Sequence, residues 1–130
     1  MHLSEQSMTV LKRVNQGGPY VFSRLGAKPF AEFSRAKLQL DQLSGVTGWR
    51  LHDLRRTCVS GMAGLGIAPH VADKVLNHQA GTISGVAAVY QRHEFLAERR
   101  EALERWGAHL VRIVAESSLG ASRVEIRRAA

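Results

Sequence analysis

Apolar positions along this chain recur mostly at spacings of three and four, in runs separated by polar or glycine-bearing breaks. That is the periodicity of helices that each bury one face. Ser4 stands at a helix N-cap position ahead of Met8, Leu11 and Val14, and Gly17, Gly18 and Pro19 end the run. Tyr20, Val21 and Phe22 read as a brief extended piece, and Arg24 to Pro29 as loop. Ser34 can cap a second helix presenting Leu38, Leu40 and Leu43, which Gly45 and Gly48 break. From His52 to Leu65 the positions Leu54, Cys58, Met62 and Leu65 form an amphipathic stripe, closed by Gly64 and Gly66. Pro69 suits the first turn of the next helix, whose Val71, Val75 and Leu76 face inward. Gly81 to Gly85 lead into a short helical turn around Val89 and Tyr90. A last long helix runs from Phe95 to Glu116, with Leu96, Leu103, Trp106, Leu110, Ile113 and Val114 on one side and Gly107 weakening it by about 1 kcal/mol relative to Ala.

The expected fold class is therefore mainly α, with at most a short extended segment near residues 20–22. Residues 1–116 form one domain or part of one, and residues 117–130, rich in Arg with little to bury, form a mobile basic tail. No internal repeat or sustained heptad pattern is present.

Composition sharpens this picture. The chain has 130 residues, 45% of them hydrophobic and 22% charged, which is ordinary for a globular domain and too apolar for wholesale disorder. Lys and Arg number 18 against 11 Asp and Glu, a net charge of +7. Residues 1–56 carry nine basic and four acidic side chains, and residues 57–130 carry nine and seven, so the excess is densest towards the N-terminus. Such a balance favours a polyanionic partner, nucleic acid above all, over an anionic membrane surface or none. A single cysteine, Cys58, permits no internal disulfide, and no long apolar run suggests a signal or a membrane span. The expectation is a cytoplasmic protein.

One pair of residues carries chemistry. His52 and Arg55, at i and i+3, project from one face of a helix start. An imidazole, a guanidinium and the positive end of a helix dipole together suit phosphate oxygens. Taken alone, the same pattern describes an ordinary surface helix start.

The surrounding residues extend the pattern. The segment WRLHDLRRTCVSGMAGLGI, followed by VADKVLNH and GVAAVYQRHEFLAERREALERW, resembles the C-terminal portion of the catalytic domain of tyrosine recombinases, the phage integrase family, and most closely prophage-type bacterial integrases. The resemblance reaches to about residue 114 and rests on an ordered set of three motifs, H-x-x-R, L-N-H and Y-x-R-H. It implies that Tyr90 is the nucleophile that attacks a DNA phosphodiester to give a 3′-phosphotyrosine. It implies further that Arg55 is the second arginine of the phosphate clamp, that His52 assists proton transfer, and that His78 donates to a non-bridging oxygen. Arg92 and Arg56 are candidates for contact with the DNA backbone, the alternative being solvated surface arginines. Double-stranded DNA is the implied partner, a homo-oligomer on DNA the implied assembly, with the C-terminal apolar stripe docking in trans, and the nucleoid the implied location. No cofactor or metal is implied.

The physical logic runs parallel to the resemblance. A phenol titrating near 10 needs a proton acceptor and nearby positive charge to attack at neutral pH, and His52 and Arg55 are of those types. Charge developing on the phosphate needs preformed donors, which Arg55, His78 and a helix N-terminus supply. Arg55 to His78 spans 23 positions, and His78 to Tyr90 spans 12, longer than in many family members. The family's first catalytic arginine and its hairpin lysine have no counterpart here, since Lys12, Arg13, Arg24 and Lys28 do not stand at matching positions. This chain on its own is accordingly expected to be a weak or inactive enzyme.

Structural roles compete with each of these. Tyr90 can be a half-buried aromatic with one hydrogen bond, and His78 a helix terminator. His70 and His93 read as solvated or locally structural, Trp106 as core, and Arg99 and Arg100 as a solvated helix face. The histidines lack compact ligand spacing for zinc. Besides the recombinase, a non-catalytic remnant that binds DNA or a full-length recombinase fits the sequence, as does a helical domain that binds no DNA.

Overall fold

The side chain of Ser4 starts the first helix. Its Oγ accepts the N–H of Ser7 at 3.3 Å while its carbonyl accepts that of Met8 at 2.9 Å, and the residue is only 3% exposed. Helix α1, Glu5–Lys12, follows, with an acid in its first turn and a base in its last, as the helix dipole favours. The structure is a computed structural model that describes residues 2–14, 17–23, 27–77 and 93–128, the last ten of these as backbone only.

Helix α2, Phe33–Ser44, departs from the expectation in two ways. Glu32, not Ser34, stands at its N-cap, without a side-chain capping bond. Leu38, Leu40 and Leu43 are all exposed, Leu43 to 86%. Geometry explains part of this: at 3.6 residues per turn Leu40 and Leu43 lie about 60° apart, but Leu38 lies about 140–160° from both, so the three do not make one stripe. The half-buried side is polar, with Lys37 bonded to Asp41 at 2.5 Å and set 5.0 Å above the ring of Trp49. Gly45, at φ 68°, ends the helix in the left-handed conformation that glycine adopts most easily.

Helix α3, Leu51–Gly64, opens with Asp53 reaching back to accept the N–H of Arg50 at 2.8 Å. It closes on Gly66, at φ 74°, where Ile67 N–H bonds Met62 carbonyl at 3.0 Å and Gly66 N–H bonds Ala63 carbonyl at 2.9 Å. This paired closure brings Ile67 onto Met62, and both are buried. Pro69 takes the first turn of helix α4, Pro69–Val75, as expected, and Val71 and Ala72 turn inward.

Helix α5 runs Leu96–Arg128. The sequence reading ends it at Glu116, but nothing from Ser117 onward forbids a helix; Gly120 costs only about 1 kcal/mol and no proline intervenes. The expected apolar stripe is buried only in part. Ala102, Leu103 and Trp106 meet the core, whereas Leu96, Leu110, Ile113 and Val114 are exposed. The helix is about 50 Å long, and α4, of seven residues, spans only about 10 Å of it.

The core is Met62, Ile67, Val71, Ala72 and Ala102, flanked by Cys58, Leu65, Val75, Leu103 and Trp106. It lies where α3, α4 and α5 meet, with α1 packed along α5 and α2 taking no comparable part. The protein is thus mainly α. Among the described residues there is no β-strand: Val21 and Phe22 form bends, and Phe22 carbonyl accepts the N–H of Phe30 at 2.8 Å, because no second strand lies alongside to pair with them. The expected helical turn at Val89 and Tyr90 falls outside the described residues.

Candidate functional site

The first two turns of α3 carry the residues that the H-x-x-R motif singles out. His52 is exposed, one residue inside the helix, where its ring meets solvent. Arg55, one turn on, is half-buried, because its stem crosses towards α4 and its Nη2 donates to the carbonyl of Leu76. Leu76 caps the C-terminus of α4, where unpaired carbonyls concentrate negative charge, so a guanidinium there is favoured twice, by hydrogen bond and by dipole. The start of α3 and the end of α4 are joined by this contact. The next residue, Asn77, turns the chain at φ 54°.

His78, Tyr90 and Arg92 lie outside the described residues. Of the six candidate side chains, His52, Arg55 and Arg56 are brought together on α3, and Arg55 reaches the backbone two positions before His78.

Arg56 is exposed and paired with Asp53, Nη1 to Oδ1, at 3.0 Å. The hydrogen bond from Arg50 N–H, foremost, holds the Asp53 carboxyl below the ordinary aspartate range; desolvation opposes it, and the charge of Arg56 adds a lesser lowering. The expected anion site at the helix start therefore already holds a carboxylate of the chain's own. Cys58 sits one turn beyond Arg55, and burial pushes its thiol up, partly opposed by the Arg55 charge. A protonated, half-buried thiol packs as a small apolar group and is a poor nucleophile.

Sequence reasoning missed a second cluster beside this one. Phe95, at φ 48°, sets its ring 4.7 Å from that of His70 on α4 and 4.6 Å from that of His93. Glu94 bonds Lys74 of α4 at 3.1 Å and Arg99 at 3.4 Å. Arg99 is not the solvated helix residue expected; its side chain is 17% exposed and turns back to Glu94. No spacing signal could have revealed this, since Lys74 and Glu94 stand 20 positions apart.

Among the described residues no group of three His, Cys, Asp or Glu side chains could hold a metal ion, and no helix is long and apolar enough to cross a membrane. No protein-family model, curated protein or solved structure matches the chain.

Proposed function

We propose that this chain is the C-terminal part of the catalytic domain of a tyrosine recombinase. It acts on double-stranded DNA in the bacterial cytoplasm, at the nucleoid, as part of a homo-oligomer. The ordered motifs around His52, Arg55, His78 and Tyr90 suggest this reading, and the observation that carries it is the Arg55 contact with Leu76. That contact holds the H-x-x-R helix against the end of the helix from which the L-N-H motif emerges, as a shared phosphate site requires.

In this reading Tyr90 Oη attacks the phosphorus, forming the phosphotyrosine bond as the bond to the 5′ oxygen breaks. His52 receives the phenolic proton. The Arg55 guanidinium and the His78 imidazole donate to the non-bridging oxygens. The leaving 5′ oxygen takes its proton from a general acid, which in the family is the hairpin lysine. The phosphodiester energy is kept in the covalent bond, so a second 5′ hydroxyl can rejoin the strand without a nucleotide cofactor.

The test is a duplex whose 5′ leaving oxygen is replaced by sulfur, which leaves readily without a general acid. A denaturant-stable protein–DNA adduct is expected, lost in Tyr90→Phe and reduced about 100-fold or more in Arg55→Ala, the usual effect of removing one charge-stabilising donor. An adduct that persists unchanged in Tyr90→Phe overturns the assignment.

A second reading, DNA binding without cleavage, is favoured by a basic chain in which Lys12, Arg13, Arg24 and Lys28 do not match the family's first catalytic arginine or its hairpin lysine. It requires affinity that falls with salt and no adduct on the sulfur substrate.

A further inference from the structure

Tyr20, Phe22, Phe30 and Phe33 stand within one short stretch of the chain, yet none of them belongs to the core. Tyr20, Phe22 and Phe33 are 41%, 60% and 56% exposed. Aromatic rings carry large apolar areas, so a cluster of them left in water marks a surface with a partner. The cluster is held in shape. Phe22 carbonyl accepts the N–H of Phe30 at 2.8 Å and Ser23 Oγ donates to the Lys28 carbonyl at 2.6 Å, which turns the chain back on itself between Phe22 and Phe30. Phe30 meets Phe33, at the start of α2, edge to face, with centroids 5.0 Å apart and planes at 89°. Together with Val14 the four rings line one cleft of about 740 Å³, within the range of ~300–1,000 Å³ usual for sites that hold organic groups.

The cleft has a basic rim. Arg13 directly precedes Val14, Lys28 directly precedes Pro29 of the cleft wall, and both cations are exposed. A second hollow, of about 280 Å³, shares Phe30 and is lined also by Arg35 and Gln39. Residues 12–35 carry five basic side chains and one acidic. That acid, Glu32, stands 3.9 Å from Arg35 with both side chains more than half exposed, a pairing easily given up to a partner. An apolar floor suits no bare phosphate, and a second copy would bring its own excess of cations to the same face. A lipid surface is anionic too, but it is entered by apolar groups that protrude, whereas these rings line a hollow. In a duplex the base faces are stacked on one another. A single strand combines a run of phosphates with free base faces, and rings with a cationic rim are what hold it. We propose that this cleft is a stacking platform for the unpaired bases of single-stranded DNA, with Arg13, Lys28 and Arg35 meeting its phosphates. The platform goes beyond the recombinase reading and takes from it only the choice of DNA over RNA.

The test is the anisotropy of end-labelled oligothymidylate titrated with the whole chain and with Phe22→Leu, Phe33→Leu and Lys28→Ala. Leucine keeps an apolar side chain and removes the π-face, and neither ring is part of the core, so the variants should keep the parent's helical circular dichroism. Each leucine variant is expected to bind the strand about tenfold more weakly, with duplex affinity unchanged within about twofold. Lys28→Ala should make the slope of log K against log salt shallower by about 0.7. A base-free abasic strand of equal length should bind at least about tenfold more weakly than oligothymidylate. Strand affinity unaltered in both leucine variants, or an abasic strand bound as well as oligothymidylate, overturns the platform. Oligouridylate bound about tenfold more tightly than oligothymidylate overturns the choice of DNA. Phosphatidylserine vesicles bound in preference to the strand, or a dimer in sedimentation that Phe22→Leu dissociates, also overturns it, in favour of a membrane or a second copy. The Tyr90-dependent adduct is read separately, so its absence sinks the recombinase reading and leaves the platform standing.

Discussion

Gly61, on α3, and Gly107, on α5, each stand where α5 meets a neighbouring helix closely. A Cβ on Gly61 would sit 2.1 Å from the ring of Trp106, while one on Gly107 would sit 2.4 Å from Gln6 Oε1 and 3.0 Å from the capping Ser4 Oγ. Periodicity alone treats Gly107 as a weak point in a helix, yet the residue is buried and lets α1 lie against α5. The two sites differ in what would have to move. An indole locked in the core cannot yield, whereas the end of a glutamine can. Gly61→Ala is therefore expected to cost about 1–2 kcal/mol net, overpacking outweighing the gain in helix propensity of about 1 kcal/mol that either substitution brings. For Gly107→Ala the gain in helix propensity, about 1 kcal/mol, offsets much of a smaller clash. Urea unfolding of both variants checks the order, and a larger loss for Gly107→Ala would contradict it.

Between elements, the seam of α1 and α5 is polar. His2 Nε2 lies 2.6 Å from Glu104 Oε1, and Glu5 N–H donates to Oε2 at 3.3 Å. These bonds, the one to His2 foremost, hold the Glu104 carboxyl below the ordinary glutamate range. A carboxyl lowered on folding stabilises the folded state above its unfolded pKa and loses that contribution as pH falls through the folded value. Glu104→Gln should therefore lose less thermal stability than the parent between about pH 5 and pH 3, read as Tm against pH. Parallel curves would show that the bond contributes nothing to stability. This seam also shows how far the sequence could be read. Ser4 as a cap, Pro69 as a first-turn residue, Gly66 as a stop, and Met62 and Val71 as core were all legible, because each is decided within one turn of chain. Pairings between distant residues, such as His2 with Glu104 or Glu94 with Lys74, were not, because no local pattern encodes them. The α2 stripe misled because Leu38 lies across the helix from Leu40 and Leu43, although the three look like one apolar run in one dimension. Of the candidate site, His52, Arg55 and Arg56 share α3 as the motif demands, while the Arg55 bond to Leu76 depends on how two helices meet.

Across the whole molecule, burial is unevenly shared. The five core residues come from α3, α4, α5 and the turn between α3 and α4; α2 contributes none. The two tryptophans divide along the same line. Trp106 lies in the packed region against Gly61, and Trp49 lies under Lys37 of α2. With so little apolar contact, α2 should open at a lower free energy than the rest. The protein thus carries one fluorescent reporter for each part, and silencing either with phenylalanine leaves the other to be read alone. On heating, the Trp49 signal should change before the Trp106 signal, whereas coincident transitions would mean that the five described helices unfold as one. If the signals separate, the chain's single melting temperature is a blend of two, and a ligand that raises only the earlier one has docked on α2.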